Sequence, residues 1–274
     1  MTILVTGATG AVGRHVVTAL VAAGERVRAT SRKPQDTGLP MGVEVVGPDG
    51  DLFDDVDRMF VFPLPHGVDD LVTAAVAAGV QKFVVLSSLA AAGEFARDLG
   101  SASYTHHRAI EESVTTRTGE WTIVRPGTFA NILLSWAWPI RSGAPIRAPY
   151  VNSAQAPIHE ADVGEVAAAI LTSDGHRGAT YPLTGPQSLT RAEQVAAIAA
   201  GIGREIRLIE ITPDEFRSDM RQLHVPDDIV DMLLDYWSDT VAEPDRVRPG
   251  VADLTGHAAR TLTDWARDHR ADLT

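Results

Sequence analysis

Tyr104-Thr105-His106-His107-Arg108 puts a phenol, two imidazoles and a guanidinium within five residues. On a helix, positions four apart share a face, so Tyr104 and Arg108 stand together. A phenol placed there can protonate an oxygen as the adjoining carbon takes up a hydride. A cation beside it lowers the phenol's pKa. Arginine cannot relay the proton onward, because it stays charged at working pH. An imidazole titrates near neutrality, which makes His106 and His107 alternative donors. Tyr104, His107 and Arg108 are the candidate catalytic residues.

Such chemistry needs a hydride source, and a second group of residues has the spacing to hold one. Gly7, Gly10 and Gly13 are spaced G-x-x-G-x-x-G directly after the apolar run Ile3-Leu4-Val5. In a strand-loop-helix unit the first glycine allows a sharp turn, the second lets backbone approach a pyrophosphate, and the third packs helix on strand. The helix then aims its free N–H groups and positive dipole end at the phosphates. Thr9, Ala11 and Val12 share that loop. The expected second strand ends at Ser31-Arg32-Lys33, where an NAD-selecting fold carries an acid for the ribose 2′-hydroxyl. Two cations and a hydroxyl there point to the 2′-phosphate of NADP(H), with Arg32 as the fork and Lys33 as a supporting charge. Phe62, Ser87, Ser88 and Pro126, at the carboxyl ends of further strands, complete the expected cofactor-binding residues, the two serines on the nicotinamide side.

These residues must be brought together by alternating elements. Val16, Val17, Leu20 and Val21 continue the glycine loop at helical spacing. Residues 26–31, 43–46 and 58–62 read as strands, 69–78 as an Ala/Val-rich helix, and Phe83-Val84-Val85-Leu86 as a strand buried on both faces. A helix through His107, Ile110, Glu111 and Val114 precedes the strand Trp121-Thr122-Ile123-Val124. This is the pattern of an α/β fold, a Rossmann-type doubly wound parallel sheet whose crevice lies at the strands' carboxyl ends. After Pro126 the alternation breaks down. Residues 1–130 are expected to form the NADP(H)-binding Rossmann domain, and 131–274 a smaller C-terminal substrate-binding lobe, interleaved with the sheet and roofing the crevice. Thr190/Glu193 and Thr212/Glu215 are capping boxes, the second with Pro213 at the first helical position. Trp136, Trp138 and Tyr150, in a stretch with Pro139, Gly143, Pro145 and Pro149, read as a shaped loop presenting an aromatic substrate wall. The same rings would serve equally as the lobe's core. His159 with Asp162 reads either as a residue at the crevice mouth or as part of a helix cap.

Bulk composition narrows the partners. The 274 residues carry 36 acidic and 24 basic side chains, a formal charge of −12, which repels a phosphate backbone. No nucleic acid partner is expected. Without a single cysteine, thiol catalysis, zinc-thiolate sites and disulfides are excluded, and no metal site is expected. No apolar run approaches a membrane span and no leader precedes the first strand, so a cytoplasmic protein with no membrane partner is expected, as monomer or homodimer. Lys33 and Lys82 are the only lysines. Lys33 is assigned to the cofactor, and Lys82 begins a strand at the edge of the sheet away from the crevice.

The segments Thr6–Gly13, Phe83–Ser88, Trp121–Gly127 with Phe129 and Asn131, Tyr181–Pro186, His159 with Asp162, and Thr261–Ala266 resemble the NmrA-like, atypical short-chain dehydrogenase/reductase family over nearly the whole length. The resemblance implies NAD(P)(H) on a Rossmann domain under a small C-terminal lobe. Some members are NADPH-dependent reductases, quinone reductases among them, and others are redox-sensing regulators. Ordinary short-chain dehydrogenases carry Tyr-x-x-x-Lys; here Arg108 stands at the lysine position, and His107-Arg108 with Glu111 is similar to the His-Arg-x-x-Glu variant of part of the family. Gly47 to Met59 is shorter than the helix-bearing segment the family implies, which leaves a more open adenine side. Weak acid machinery suits acceptors whose reduction yields a phenolate or enolate rather than a strongly basic alkoxide. The expected function is therefore NADPH-dependent hydride transfer to a small conjugated, quinone- or enone-like acceptor. The rivals are a non-catalytic NADP(H) sensor and a cofactor-assisted isomerase or lyase.

Overall fold

Ile3, Leu4 and Val5 are fully buried, as a strand covered on both faces must be. In the computed structural model, which describes residues 1–47 and 50–274, they lie in β1 (Thr2–Val5), which runs into α1 (Gly13–Ala22). Next come β2 (Val27–Thr30), β3 (Glu44–Val46), β4 (Val56–Val61), α2 (Val68–Ala77), β5 (Lys82–Leu86), α3 (Ala102–Thr115) and β6 (Trp121–Pro126). A 3₁₀ stretch at Ala130–Trp136 leads to α4 (Ala137–Ser142), β7 (Ile146–Ala148), β8 (Ala154–Gln155), α5 (Glu160–Thr172), β9 (Ala179–Leu183), β10 (Leu189–Thr190) and α6 (Arg191–Ile202). Then follow β11 (Leu208–Glu210), α7 (Pro213–Gln222), α8 (Asp227–Ala242), α9 (Gly250–Thr255), α10 (Leu262–Asp268) and α11 (Arg270–Leu273). Pro48 and Asp49, within the shortened Gly47–Met59 segment, lie outside the described residues.

The chain forms two compact units. The first comprises residues 1–127, 160–183 and 250–257 and is built on a seven-stranded sheet of order β3-β2-β1-β4-β5-β6-β9, every pair parallel. Strand period two sends Leu4, Met59, Val61, Phe83, Val85 and Ile123 to one face, where they pack with Val68, Val72 and Ala75 of α2 and Ile110 and Val114 of α3. Helices α1 and α5 pair closely: a Cβ on Gly164 would lie 2.5 Å from the His15 Cβ. Strand order reverses between β1 and β4, the switch point at which open α/β sheets bind ligands beyond their carboxyl ends. The fold is the Rossmann-type α/β sheet expected. Its last strand and two helices come from beyond residue 130.

The second unit comprises residues 128–159, 184–249 and 258–274. One core cluster gathers Leu133, Trp136, Ile140, Val195, Ile198, Ile202 and Trp265, and a second gathers Ile211, Phe216, Val230 and Leu234. Both expected capping boxes form, at Thr190/Glu193 and at Thr212/Glu215 with Pro213 following, and a third closes the start of α10 at Thr261/Asp264. The stretch expected to be a shaped loop is a 3₁₀ segment followed by α4. Proline in a first helical turn forfeits no backbone bond, so Pro139 does not stop this helix, and Gly143 ends it at φ +72°. No helix of the described residues is long and apolar enough to cross a membrane.

Candidate cofactor and catalytic site

The glycine loop has the geometry its spacing implies. Gly7 takes φ +61°, and a Cβ there would come within 2.5 Å of the Phe62 ring. A Cβ on Gly13 would sit 2.1 Å from the Gly7 carbonyl oxygen, so these two glycines are required by the protein itself. Gly10 differs: its Cβ would meet only the Gly7 carbonyl, at 3.2 Å, and otherwise projects from the loop's open side. Open space of this kind above backbone fits the close approach of a pyrophosphate. Helix α1 begins beyond it with Val12 at the cap position, no side-chain cap and no acid in its first turn. An uncapped N-terminus offers its N–H groups to an anion. Thr9 is half-buried and Ala11 exposed, while Val12 and Gly13 are buried beneath them.

Two residues that spacing alone did not single out shape this loop. The Thr6 hydroxyl donates to the Phe60 carbonyl at 2.9 Å and accepts from the Phe62 N–H at 2.8 Å, tying the ends of β1 and β4 together and setting Phe62 against Gly7. Arg14 folds back so that its guanidinium donates to the carbonyl oxygens of Thr9 at 2.9 Å and Gly10 at 3.4 Å. It draws those carbonyls to one side and adds positive charge at the loop. At the end of β2, the Ser31 hydroxyl accepts from the Lys33 N–H at 3.0 Å. Arg32 and Lys33 are exposed, and among the described residues neither pairs with a carboxylate. The set fits a phosphorylated dinucleotide: N–H groups and Arg14 for the pyrophosphate, Arg32 and Lys33 for a 2′-phosphate.

Helix α3 carries the catalytic candidates, and Glu111 organises them. This buried carboxylate accepts from the Ser87 hydroxyl at 2.6 Å, from Arg125 Nε and Nη2 at 2.7 and 2.6 Å, and from Arg108 Nη1 at 3.1 Å. Two cations and a hydroxyl satisfy one buried acid, as a buried charge requires. Ser87, expected beside a nicotinamide, spends its hydroxyl on Glu111, and Ser88 caps the 3₁₀ turn Leu89–Ala92 through the Ala90 N–H. Pro126 is buried at the end of β6. Arg108 is half-exposed despite this pairing and shares its face of α3 with Tyr104. The Tyr104 hydroxyl has no partner among the described residues, and its ring lies along Gly93.

His107 departs from expectation. Burial, reinforced by neighbouring His106 and opposed by Glu111, lowers its pKa to about 4, and its Nδ1 is sealed without a partner. The ring is neutral at pH 7. An imidazole that titrates near neutrality, the reason for naming it as a donor, is not what this position holds.

The aromatic candidates separate. Trp136, the last residue of the 3₁₀ stretch, is buried in the second unit's core with residues of α6 and α10, the alternative to a substrate wall that the sequence also allows. Tyr150, at φ +53°, packs against the Phe216 cluster. Trp138 alone is an exposed ring, 70% accessible on α4. His159 is buried and meets Asp268 at 3.3 Å. Lys82 donates to the Ser173 carbonyl at the amino end of β5, where a cavity of about 560 Å³ is lined by Arg58, Lys82, Ser173 and His176. It stands at the opposite end of the sheet from the glycine loop.

Comparison with known proteins matches this arrangement. A family profile described as NAD(P)H-binding covers residues 57–174, and one described as the NAD dependent epimerase/dehydratase family covers residues 3–62. The chain is 37% identical to the (4-alkanoyl-5-oxo-2,5-dihydrofuran-3-yl)methyl phosphate reductase of Streptomyces griseus, over 97% of each protein. It is 33% identical to the NAD(P)H azoreductase of Xenophilus azovorans, over 98% of each. The triphenylmethane reductase of Citrobacter sp. shares the fold, with a TM-score of 0.81 over 99% of this chain and 100% of that one at 20% identity. With relatives above 30% identity along its full length and a matching NAD(P)H-binding unit, the chain belongs to the NmrA-like, atypical short-chain dehydrogenase/reductase family.

Proposed function

We propose that this protein is an NADPH-dependent reductase of a small conjugated acceptor, a quinone or an unsaturated lactone or ketone. The observation that carries the reading is the cradle at Gly10 beneath an uncapped α1, together with the exposed Arg32 and Lys33 at the end of β2. NADPH, when bound, supplies the hydride. The chain's own residues bind it and fix its orientation. Loop N–H groups and Arg14 take the pyrophosphate, and Arg32 forms the two-point contact that selects a 2′-phosphate.

The rest follows from what the acid machinery can do. Arg108 already donates to Glu111, so it holds positive charge beside Tyr104 but moves no proton. Tyr104 is the protein's proton donor in this reading, with His106 and solvent as the other sources, since burial keeps His107 neutral. A conjugated acceptor suits so modest a donor, because its enolate or phenolate is far less basic than the alkoxide of an isolated ketone. The two relatives above 30% identity support the class: one is named for a reductase of an unsaturated lactone, the other for an azo reductase. Acceptor choice rests with the residues after Pro126.

Steady-state NADPH oxidation against a panel of quinones, unsaturated lactones and azo dyes tests this. Turnover with at least one conjugated class and none with saturated ketones is expected. Tight NADPH binding with no turnover across the panel would instead favour a sensor.

A further inference from the structure

Arg191 opens α6 with only 5% of its surface exposed. The carbon of its guanidinium lies 3.9 Å from the ring centre of Trp237 on α8 and 5.4 Å from that of Trp136. Its Nε is sealed without a partner, and among the described residues no carboxylate, carbonyl or hydroxyl accepts from the guanidinium. Arg28, the other buried arginine, also has a sealed Nε, but its two Nη atoms find acceptors. Arg28 holds Glu44 at 2.9 Å and the carbonyls of Leu52 and Asp54, and Arg125 grips Glu111 with two bonds.

The surroundings of Arg191 are polar but uncharged. Its backbone N–H donates to the Ser153 carbonyl, and the side chains of Ser153, Gln155, Gln194 and Thr240 bond one another. The nearest acid in sequence, Glu193, is engaged by Thr190 in the capping box. A cation at a helix N-terminus also faces the wrong end of the dipole. Burial without a counter-charge lowers its pKa to about 10. The two indoles compensate in part, yet a desolvated, fork-shaped cation with no acceptor lacks a partner that an oxyanion would supply.

We propose that Arg191 is the anchor for an acidic group, a phosphate monoester or a carboxylate, borne by the substrate of this protein. Trp136 and Trp237 hold the guanidinium plane so that two N–H groups meet two oxygens. This deepens the reductase reading and rests on it for the word substrate, whereas the anion site itself does not.

Calorimetry on the NADP⁺-saturated protein tests it, because the dinucleotide then closes its own phosphate sites to the added anion. Phenyl phosphate, benzoate and phenol are titrated into the wild type, Arg191→Met and Arg191→Lys. The wild type is expected to bind at least one of the two anions about tenfold or more tightly than phenol, and which anion binds better identifies the group. Arg191→Met is expected to bring that ratio to within about threefold of unity. Equal anion preference in Arg191→Met, or none in the wild type, overturns the proposal. A lowered melting temperature with unchanged preference assigns Arg191 to packing alone. Should Arg191→Met fail to fold, Arg191→Lys decides: losing the fork should lower the ratio by about threefold or more, and an unchanged ratio overturns the anchor. Anion binding without turnover of any conjugated acceptor would overturn the reductase reading and leave the anchor standing.

Discussion

A few charged side chains decide the cofactor and the proton chemistry. Arg32 and Lys33 are exposed cations at the end of β2 with no carboxylate partner among the described residues. NADPH is expected to bind at least about tenfold more tightly than NADH, roughly 1.4 kcal/mol, and Arg32→Ala to erase most of that difference. Titration with both cofactors checks it, and equal affinities in the wild type would refute it. Tyr104→Phe is expected to lower kcat by about 10²-fold or more with little change in cofactor affinity; unchanged turnover would leave solvent or a histidine as the proton source. His107 gives a pH signature. Its folded pKa of about 4 lies below its ordinary 6.5, so between those values the unfolded chain binds a proton that the folded chain refuses. The contribution to stability is whole above pH 6.5 and is lost as pH falls toward 4. Urea melts across that range should show a shallower acid loss in His107→Gln. The cofactor residues were legible in sequence because a phosphate cradle demands particular glycines at fixed spacing. His107 was misjudged because ring burial depends on packing that spacing does not encode. Arg191, a first-turn arginine like many others, acquires meaning only when two tryptophans distant in sequence are found beside it.

Among elements, Gly10 and Gly13 of the loop are separable by experiment. Gly13→Ala drives a Cβ into the Gly7 carbonyl at 2.1 Å. It is expected to destabilise the fold by about 1–3 kcal/mol as well as impair cofactor binding. Gly10→Ala, whose Cβ meets only that carbonyl at 3.2 Å, is expected to lower NADPH affinity with a much smaller change in melting temperature. Similar loss of stability in both variants would mean that Gly10 serves packing rather than the ligand. Strands and helices before Pro126 were readable almost to their ends, because buried apolar runs and 3.6-residue spacing admit few alternatives. The region after Pro126 was harder. Proline, glycine and tryptophan around α4 suggest a loop, while the helix exists because Pro139 sits in its first turn and Trp136 and Ile140 anchor it in the core.

At the scale of the whole molecule the chain crosses between its two units several times. Residues 160–183 and 250–257 return to the first unit, so that β9 extends the parallel sheet and α5 packs on α1. In the sequence the βα alternation fails near residue 126, which implies a lobe interleaved with the sheet but not which later segments return to it, because strand pairing across more than fifty residues leaves no local mark. The fold and the NAD(P)H-binding unit reach as far as a dinucleotide; the reaction lies beyond them. The most direct measurement is the fate of the hydride. With NADPH deuterated at the transferring position of the nicotinamide and a cyclic unsaturated ketone or lactone as acceptor, the account predicts a saturated product carrying one deuterium on its β-carbon. Product without deuterium, or tight NADPH binding with no product from any conjugated acceptor, would contradict it.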